Sequence, residues 1–257
     1  MGKVKNILFI MYDQLRADYL GCEGHPTIKT PHMDALAARG VRFNRAYSQA
    51  PVCGPSRVSF YTGRYMSSHG AGYNNVPFSL DQWTMGDYLR EVGMRSVLVG
   101  KTHMVPDQSG MKRLQINPVS ELGVWISQSG FEAFERDDGL HPNQAVDPML
   151  TYNEYLRGKG YDGDNPWHDH ANSAEGPNGE ILSGWHMRYA RLPARVAEED
   201  SETPYMTSRA VEFIDQAGDE PWCLHFSLIK PHWPYVAPAP YHEMYGPNQI
   251  IPANISR

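Results

Sequence analysis

Cysteine, basic charge and long apolar segments are all scarce in this sequence. Three cysteines among 257 residues are too few and too scattered for a disulfide framework. The net charge of −6 disfavours partners held by bulk positive charge, such as nucleic acid or an anionic membrane. No apolar run approaches the roughly 18–20 residues that a membrane-spanning helix requires. These absences indicate a globular protein of a reducing compartment, with no nucleic-acid or membrane partner.

The N-terminus lacks the complete features of an export signal. Lys3 and Lys5 precede an apolar run, as they would in a signal peptide. The run stops at Asp13, however, and no small-residue cleavage site follows it. We therefore expect a cytoplasmic protein. No pattern in the sequence predicts its oligomeric state.

Short apolar runs recur along the chain and predict strands. Residues 4–11 and 222–229 are mostly apolar, and 97–99 form a short apolar run within 95–99, a composition typical of strands buried on both faces of a parallel sheet. Residues 41–47 are predicted to form a further strand. These runs therefore indicate a mainly parallel sheet.

Helix-start signals stand between the predicted strands. Thr30-Pro31 and Thr203-Pro204 read as an N-cap followed by a first helical residue, and Thr84 could cap another helix. Strands that alternate with helices predict an α/β fold, with helices on both faces of the sheet.

Residues 105–202 interrupt this alternation. The interval is rich in Gly, Pro, Asn and Asp, and a loop of this length within a domain is usually a functional cover or an insertion. We expect residues 1–257 to form the N-terminal part of one domain, with about 105–202 as a substrate-side insertion over the carboxyl edge of the sheet.

Polar side chains follow a predicted strand or open a predicted helix at four places. The carboxyl ends of strands in an open α/β sheet face the ligand crevice, so we expect these groups to converge there. They are Asp13 with Gln14, Cys53 with Arg57, Lys101 with His103, and His232. Their placement predicts a site but names no reaction.

Two motifs resemble signatures of one enzyme family. The segment that begins at Cys53 reads C-G-P-S-R-x4-T-G-R, and the segment that ends at His103 reads G-x2-S-x3-G-K-x-H. Both resemble motifs of the sulfatase family in the alkaline phosphatase-like superfamily, where the first directs conversion of the cysteine to formylglycine. Asp13-Gln14 and His232 fall in the family's order. The resemblance implies a formylglycine-dependent hydrolase of small-molecule esters, related to arylsulfatases, choline-sulfatases and phosphonate monoester hydrolases, with a formylglycine-generating enzyme as partner.

The resemblance makes Cys53 the precursor of the nucleophile. A formylglycine hydrate presents two geminal hydroxyls, one to attack sulfur or phosphorus and one to expel the bound group, which divides one hard step into two easier ones. Position 53 opens a predicted helix, where backbone N–H groups favour an anion. Arg57, one helical turn later, can direct a fixed positive charge at that anion. The alternatives are a small buried thiol for Cys53 and a surface arginine for Arg57.

Asp13 and Gln14 are candidate metal ligands at the end of the first strand. A buried, unpaired carboxylate would be costly, and a divalent cation with the Gln14 amide oxygen as a second hard ligand explains it. Both reach one ion only if the chain turns here, and Asp13 could instead cap a helix. The resemblance adds an oxygen of modified Cys53 and implies Ca²⁺, with Mn²⁺ as the alternative. Such ions take about six or more oxygens, so we expect the N-terminal portion of a longer enzyme.

The resemblance assigns roles to four further residues. Lys101 would bind the transferred group, and His103 would hydrogen-bond the formylglycine hydrate. His232 would contact the substrate and act as general acid to the leaving oxygen. Asn74 would contact the substrate, although its neighbour Asn75 could take that part.

Three functions stay open from the sequence. Lys101-x-His103 resembles sulfatases and favours hydrolysis of sulfate esters. Asp13-Gln14 and the region of Asn74 resemble phosphonate monoester hydrolases, so a phosphonate monoester or phosphodiester is the alternative substrate. A truncated, non-catalytic remnant that binds anions is the third. No pattern names the organic group of the substrate.

One further pair of histidines is of metal-ligand type. His168 and His170 stand two residues apart, but nothing nearby in the sequence completes a coordination sphere. We expect a solvated loop at this position.

Overall fold

The computed structural model describes residues 5–139 and 150–252 of the chain, which fall into two units. Within these residues the first unit comprises 5–14, 47–139 and 203–230, and the second comprises 15–46, 150–202 and 231–252. None of the described helices is both long enough and apolar enough to cross a membrane.

Strands and helices alternate through the described part of the chain. The strands are Asn6–Tyr12 (β1), Arg95–Gly100 (β2), Glu132–Arg136 (β3), Ser173–Glu175 (β4), Ile181–Ser183 (β5) and Trp222–Leu228 (β6). The α-helices are Pro31–Arg39 (α1), Cys53–Thr62 (α2), Met66–His69 (α3), Met85–Glu91 (α4), Gln108–Arg113 (α5), Glu121–Ser127 (α6), Thr151–Gly158 (α7) and Glu202–Gln216 (α8). Short 3-10 turns and one π-helical turn, Trp167–Ala171, complete the set.

A four-stranded sheet organises the first unit. Its order is β1-β6-β2-β3, and every pair is parallel, as the apolar runs predict. The central strand β6 is buried at every residue, whereas β1 at the edge alternates between exposed and half-buried residues. Because all four strands are parallel, their carboxyl ends meet at one edge, where the polar residues of the sequence motifs follow them.

Helices cover both faces of this sheet, which confirms the predicted α/β class. Successive strand residues point to opposite faces, so His225 and Trp222 of β6 lie on opposite sides. His225 forms a hydrogen bond with Tyr61 of α2, with 2.9 Å between its Nε2 and the tyrosine hydroxyl oxygen. Trp222 packs edge-on against Phe213 of α8, with 5.7 Å between ring centroids. α2 therefore packs on one face and α8 on the other.

The helix starts predicted at Thr30-Pro31 and at Thr84 are confirmed, because α1 begins at Pro31 and α4 at Met85. The N-cap predicted at Thr203 is wrong by two residues, since α8 already begins at Glu202 and Thr203 lies in its first turn.

Thr84 and Asp87 form a capping box at the start of α4, with the Thr84 backbone N–H donating to the Asp87 carboxylate at 2.9 Å. α2 begins at Cys53 and ends before Gly63, whose φ of 65° is the left-handed conformation that favours glycine at a helix end. The cysteine of the motif is therefore the first residue of a helix.

The prediction of a strand over residues 41–47 is wrong. This segment has no strand conformation, and Val41, Phe43 and Tyr47 are 78–83% exposed. Its β-branched and aromatic residues favour a strand in a half-buried sheet, but in the described structure the segment is exposed and pairs with no strand.

The interval 105–202 holds more regular structure than its composition indicates. It supplies α5, α6 and the sheet strand β3 to the first unit, and α7, the π-helical turn and the antiparallel pair β4–β5 to the second. Its role as a substrate-side insertion stays a prediction.

The prediction of a solvated loop at His168 and His170 is also wrong. Both lie on the π-helical turn and are buried, because Trp167 anchors that turn. The Trp167 backbone N–H donates to Asn153 at 2.7 Å, and its indole N–H donates to Glu202 at 3.2 Å. Anchoring by a fully buried tryptophan explains the burial of the two imidazoles.

Candidate active site

The backbone at the carboxyl edge of the sheet places two charged side chains side by side. The Asp13 N–H donates to the Leu228 carbonyl at 3.0 Å, which extends the pairing of β1 with β6 by one residue. The Lys101 N–H donates to the Ser227 carbonyl at 3.0 Å, which extends the pairing of β2 with β6 in the same way. Asp13 and Lys101 therefore leave the sheet on either side of β6.

Asp13 is the centre of a buried ion cluster. Its Oδ2 lies 2.9 Å from Nζ of Lys101 and 3.2 Å from Nη2 of Arg57. The side chains of Lys101, Arg57 and Asp13 are 0%, 4% and 4% exposed. The alternative of a surface arginine at position 57 is thus excluded. Asp13 satisfies two buried cations, so its burial does not carry the cost of an unpaired carboxylate.

Arg57 is held by three further acceptors. Its Nη1 donates to the Lys101 carbonyl at 2.8 Å, to the Ser227 hydroxyl at 2.9 Å and to the Tyr61 hydroxyl at 3.3 Å. Burial alone would lower the pKa of Arg57, but Tyr61 and Asp13 raise that pKa above its usual value. The guanidinium is therefore a fixed, charged group beneath the start of α2.

Cys53 faces an imidazole and an amide. Its Sγ lies 3.0 Å from Nδ1 of His103 and 3.6 Å from the side-chain amide of Asn74. The Asn74 Oδ1 accepts the Gly54 N–H at 2.8 Å, and a Cβ on Gly54 would lie 2.6 Å from that oxygen. Glycine at position 54 therefore allows Asn74 to approach the first turn of α2, which brings its amide to Cys53.

His103 is a neutral base beside Cys53. The residue is 9% exposed, and burial, followed by the charge of Lys101, lowers its pKa to about 4. Near pH 7 its imidazole is therefore neutral and can accept a proton or a hydrogen bond. Its backbone φ of 55° is left-handed, which is uncommon for a residue other than glycine.

Gln14 turns the chain at the end of β1. Its φ of 60° supplies the change of direction that two neighbouring residues need if both are to serve one ion. The Asp13 carboxylate and the Gln14 amide are hard oxygen donors, so their chemistry fits a hard divalent cation. Over residues 5–139 and 150–252 no cluster of three His, Cys, Asp or Glu side chains could hold a metal. Asp13 and Gln14 are thus two oxygen donors of suitable type, and their role as metal ligands stays a prediction.

His232 belongs to the second unit. It is half-buried, and its Nδ1 donates to the Trp233 carbonyl. A hydrogen bond from Nδ1 fixes the tautomer and leaves Nε2 as the nitrogen that can exchange a proton.

Sequence analysis missed the residues that hold Arg57 in place. Tyr61 follows Arg57 by four residues, a spacing that brings two side chains together on one helix face. Ser227 and His225 are polar residues within the otherwise apolar strand β6, and both are fully buried. Polar side chains inside a buried strand were the signal that could have identified this supporting layer.

Comparison with known proteins places these residues in one family. Residues 5–250 match the family model described as Sulfatase. The chain is 29% identical to the multifunctional alkaline phosphatase superfamily protein PehA of Trinickia caryophylli, over 94% of this chain and 44% of that protein. It is also 29% identical to an ulvan-active sulfatase of Formosa agariphila, over 96% of this chain and 39% of that protein.

The fold is also similar to that of a solved relative. The phosphonate monoester hydrolase SpPMH from Silicibacter pomeroyi superposes with a TM-score of 0.75 at 28% identity, over 96% of this chain and 45% of the SpPMH chain. The chain thus spans less than half the length of the relatives and the structure that it matches. Since the family model covers nearly all of it, the chain belongs to the sulfatase family.

Proposed function

We propose that the protein of which this chain is part hydrolyses sulfate esters, with residue 53 as formylglycine and a divalent cation as cofactor. The observation that carries the proposal is the position of Cys53 as the first residue of α2, 3.0 Å from His103. Membership of the sulfatase family supports the reaction class. Formylglycine at position 53 would supply a hydrated aldehyde hydroxyl as the nucleophile.

The neutral imidazole of His103 is the hydrogen-bond acceptor for the group at position 53. Because its pKa is lowered to about 4, Nδ1 accepts a hydrogen bond from the group at that position near neutral pH. The Asn74 amide, fixed by the Gly54 N–H, donates towards the same group. Arg57 stabilises negative charge beside it, since its own charge is buried and permanent.

Lys101 is proposed to bind the transferred sulfuryl group. In this structure its ammonium forms an ion pair with the Asp13 carboxylate, so each of the two buried charges is compensated by the other. Asp13 and Gln14, with an oxygen of residue 53, would hold a divalent cation, Ca²⁺ by preference and Mn²⁺ as the alternative. Such a cation would supply Lewis-acid polarisation of the transferred group.

A general acid, a maturation partner and a cellular location complete the proposed function. His232, whose Nδ1 donates to the Trp233 carbonyl, serves as general acid to the leaving oxygen. A formylglycine-generating enzyme is the partner that converts Cys53. The protein acts in the cytoplasm, which cell fractionation tests.

A phosphonate monoester is the second candidate substrate. SpPMH, with its TM-score of 0.75, and the contact of Asn74 with Cys53 favour this alternative. Lys101 and His103 favour the sulfate ester, because their motif resembles sulfatases.

Paired substrates with one leaving group distinguish the two. We expect the complete gene product, coexpressed with a formylglycine-generating enzyme, to cleave an aryl sulfate faster than the aryl phosphonate, and Cys53→Ala to cleave neither. Cys22→Ser is the control, since a thiol outside the site leaves the rate unchanged. Preference for the phosphonate would establish the second candidate. Failure with both esters, despite formylglycine at position 53, would leave a non-catalytic anion-binding protein.

A further inference from the structure

The carboxylate of Asp138 holds the turn that carries His103. One oxygen, Oδ1, accepts two consecutive backbone N–H groups, from Thr102 at 3.1 Å and from His103 at 3.0 Å. The other oxygen, Oδ2, accepts a bond from Arg136 at 2.6 Å. Asp138 therefore divides its carboxylate between the His103 turn and Arg136, the last residue of β3.

Sheet register brings Asp138 to this place. β2 and β3 are parallel neighbours, and Gly100 pairs with Arg136 at their carboxyl ends. The Asp137 N–H then donates to the Gly100 carbonyl at 3.2 Å, which continues the pairing past the strands. The segments 101–103 and 137–139 thus leave the sheet side by side. The contact between Asp138 and His103 is therefore built on the register of the sheet.

The turn needs an external support. His103 has a φ of 55°, a left-handed conformation that side-chain-bearing residues adopt rarely and keep only where their surroundings enforce it. With that backbone its Nδ1 reaches the Cys53 Sγ at 3.0 Å. A relaxed, extended backbone at His103 would direct the imidazole elsewhere, because side-chain direction follows φ and ψ.

We propose that Asp138 is a positioning residue, whose Oδ1 enforces the left-handed turn and so aims the His103 imidazole at residue 53. Burial would raise the pKa of Asp138, but the charge of Arg136 and the His103 N–H lower it below its usual value, so the acceptor is an ionised carboxylate. Charged acceptors bind backbone N–H groups more strongly than neutral ones. The catalytic consequence rests on the proposed function, whereas the conformational consequence does not.

The kinetic test uses four variants of the complete, formylglycine-bearing protein. Asp138→Ala is expected to lower kcat about 10- to 100-fold with KM within about twofold, because a misdirected imidazole costs rate rather than substrate binding. Asp138→Asn keeps an acceptor oxygen and is expected to recover most of that loss. In a His103→Ala background, Asp138→Ala is expected to add nothing further, since its effect passes through the missing imidazole.

Asp107→Ala is the matched control. The Asp107 carboxylate accepts the Gly110 N–H at 2.9 Å at the start of α5, so this variant removes the same kind of bond away from Cys53. We expect its kcat to stay within about twofold of the unaltered protein. An equal loss in both alanine variants would reduce the role of Asp138 to general stability and overturn the proposal.

NMR supplies a readout that does not depend on turnover. In the unaltered chain the Thr102 and His103 amides are expected to exchange slowly with solvent, and the Cα and Cβ shifts of His103 to report a left-handed residue. Asp138→Ala is expected to lose both signatures and Asp138→Asn to keep them. Unprotected amides in the unaltered chain, or signatures that persist in Asp138→Ala, would contradict the proposal. A protein that hydrolyses neither ester yet shows these signatures would refute the proposed function alone.

Discussion

The two units stabilise their buried polar groups by different means. In the first, the Asp13 carboxylate lies between two cations that are almost completely buried. In the second, the Asp200 carboxylate accepts the hydroxyls of Tyr155 at 2.8 Å and Tyr161 at 3.2 Å, and also pairs with Lys159, which is 47% exposed. One centre depends on compensation of charge, and the other on neutral hydroxyl donors around a single anion.

This contrast determines what a lost side chain costs. A buried ion pair that loses one member leaves an uncompensated charge in a medium of low dielectric constant, which is strongly destabilising. Loss of the Asp200 carboxylate leaves the hydroxyls of Tyr155 and Tyr161, two half-buried residues, which water can reach and satisfy. We therefore expect damage to the first unit to exceed damage to the second.

The largest effect is expected from Asp13→Ala. It leaves Arg57 and Lys101 buried without a counter-charge and should lower the free energy of unfolding by about 3–5 kcal/mol. Urea titration of the variant against the unaltered protein measures this loss. Asp13→Leu/Arg57→Met/Lys101→Met, which removes all three charges, is expected to recover much of it. A loss below about 1 kcal/mol for Asp13→Ala would show that the cluster does not need its anion.

A smaller effect is expected from Asp200→Ala. It removes the acceptor of two tyrosine hydroxyls, and we expect a loss of about 2 kcal/mol in the stability of the second unit. Hydrogen exchange of the α7 amides measures that unit separately from the sheet. Asp200→Asn keeps an acceptor and should lose less. A loss as large as that of Asp13→Ala would remove the distinction between the units.

The stability of the first unit is expected to fall at acid pH because of His225. Burial, followed by the charge of Arg57, lowers its folded pKa to about 3. The unfolded chain binds a proton as the pH falls below about 6.5, whereas the folded chain does so only near the lowered pKa, so stability falls between those limits. This histidine contributes a slope of up to about 1.4 kcal/mol per pH unit, and His103 contributes in the same direction.

His225→Phe is expected to remove the contribution of that one proton from the slope. Unfolding at pH 7, 6, 5 and 4 measures it, and His186→Gln, at an exposed position of the second unit, is the control. An unchanged slope in His225→Phe would show that the imidazole titrates normally in the folded chain.

The smallest effect is expected from Glu132→Ala. Its ion pair with Arg95 has both side chains about 40% exposed, so water screens it and competes for both partners. We expect a change within about 1 kcal/mol in the free energy of unfolding, by the same urea titration. A loss comparable with that of Asp13→Ala would contradict the argument from burial.

The same contrast explains what the sequence could predict. The sheet strands of residues 6–12, 95–100 and 222–228 carry local apolar runs, and parallel topology brings Asp13 and Lys101, which follow the first two strands, to one edge. The approach of Cys53 to His103 then follows from a helix start and a strand end. For this reason three of the four described sheet strands and most of the site could be derived from local pattern, whereas β3, within the interval 105–202, was not predicted.

Structure that depends on side chains far apart in the sequence could not be derived in this way. The burial of His168 follows from contacts of Trp167 with Asn153 and Glu202, which no periodicity signals. The left-handed turn at His103 depends on Asp138, 35 residues later. The strand predicted over residues 41–47 was wrong for a different reason. These residues have a high strand propensity, but propensity alone does not form a strand where no neighbouring strand pairs with the segment.

The central claim is that residue 53 is the modified nucleophile, and mass analysis of the tryptic peptide 46–57 tests it directly. After coexpression with a formylglycine-generating enzyme, we expect an aldehyde at position 53, trapped by a hydrazide reagent, while Cys22 and Cys223 stay thiols. An intact thiol at Cys53 under the same conditions would contradict the formylglycine mechanism for either ester.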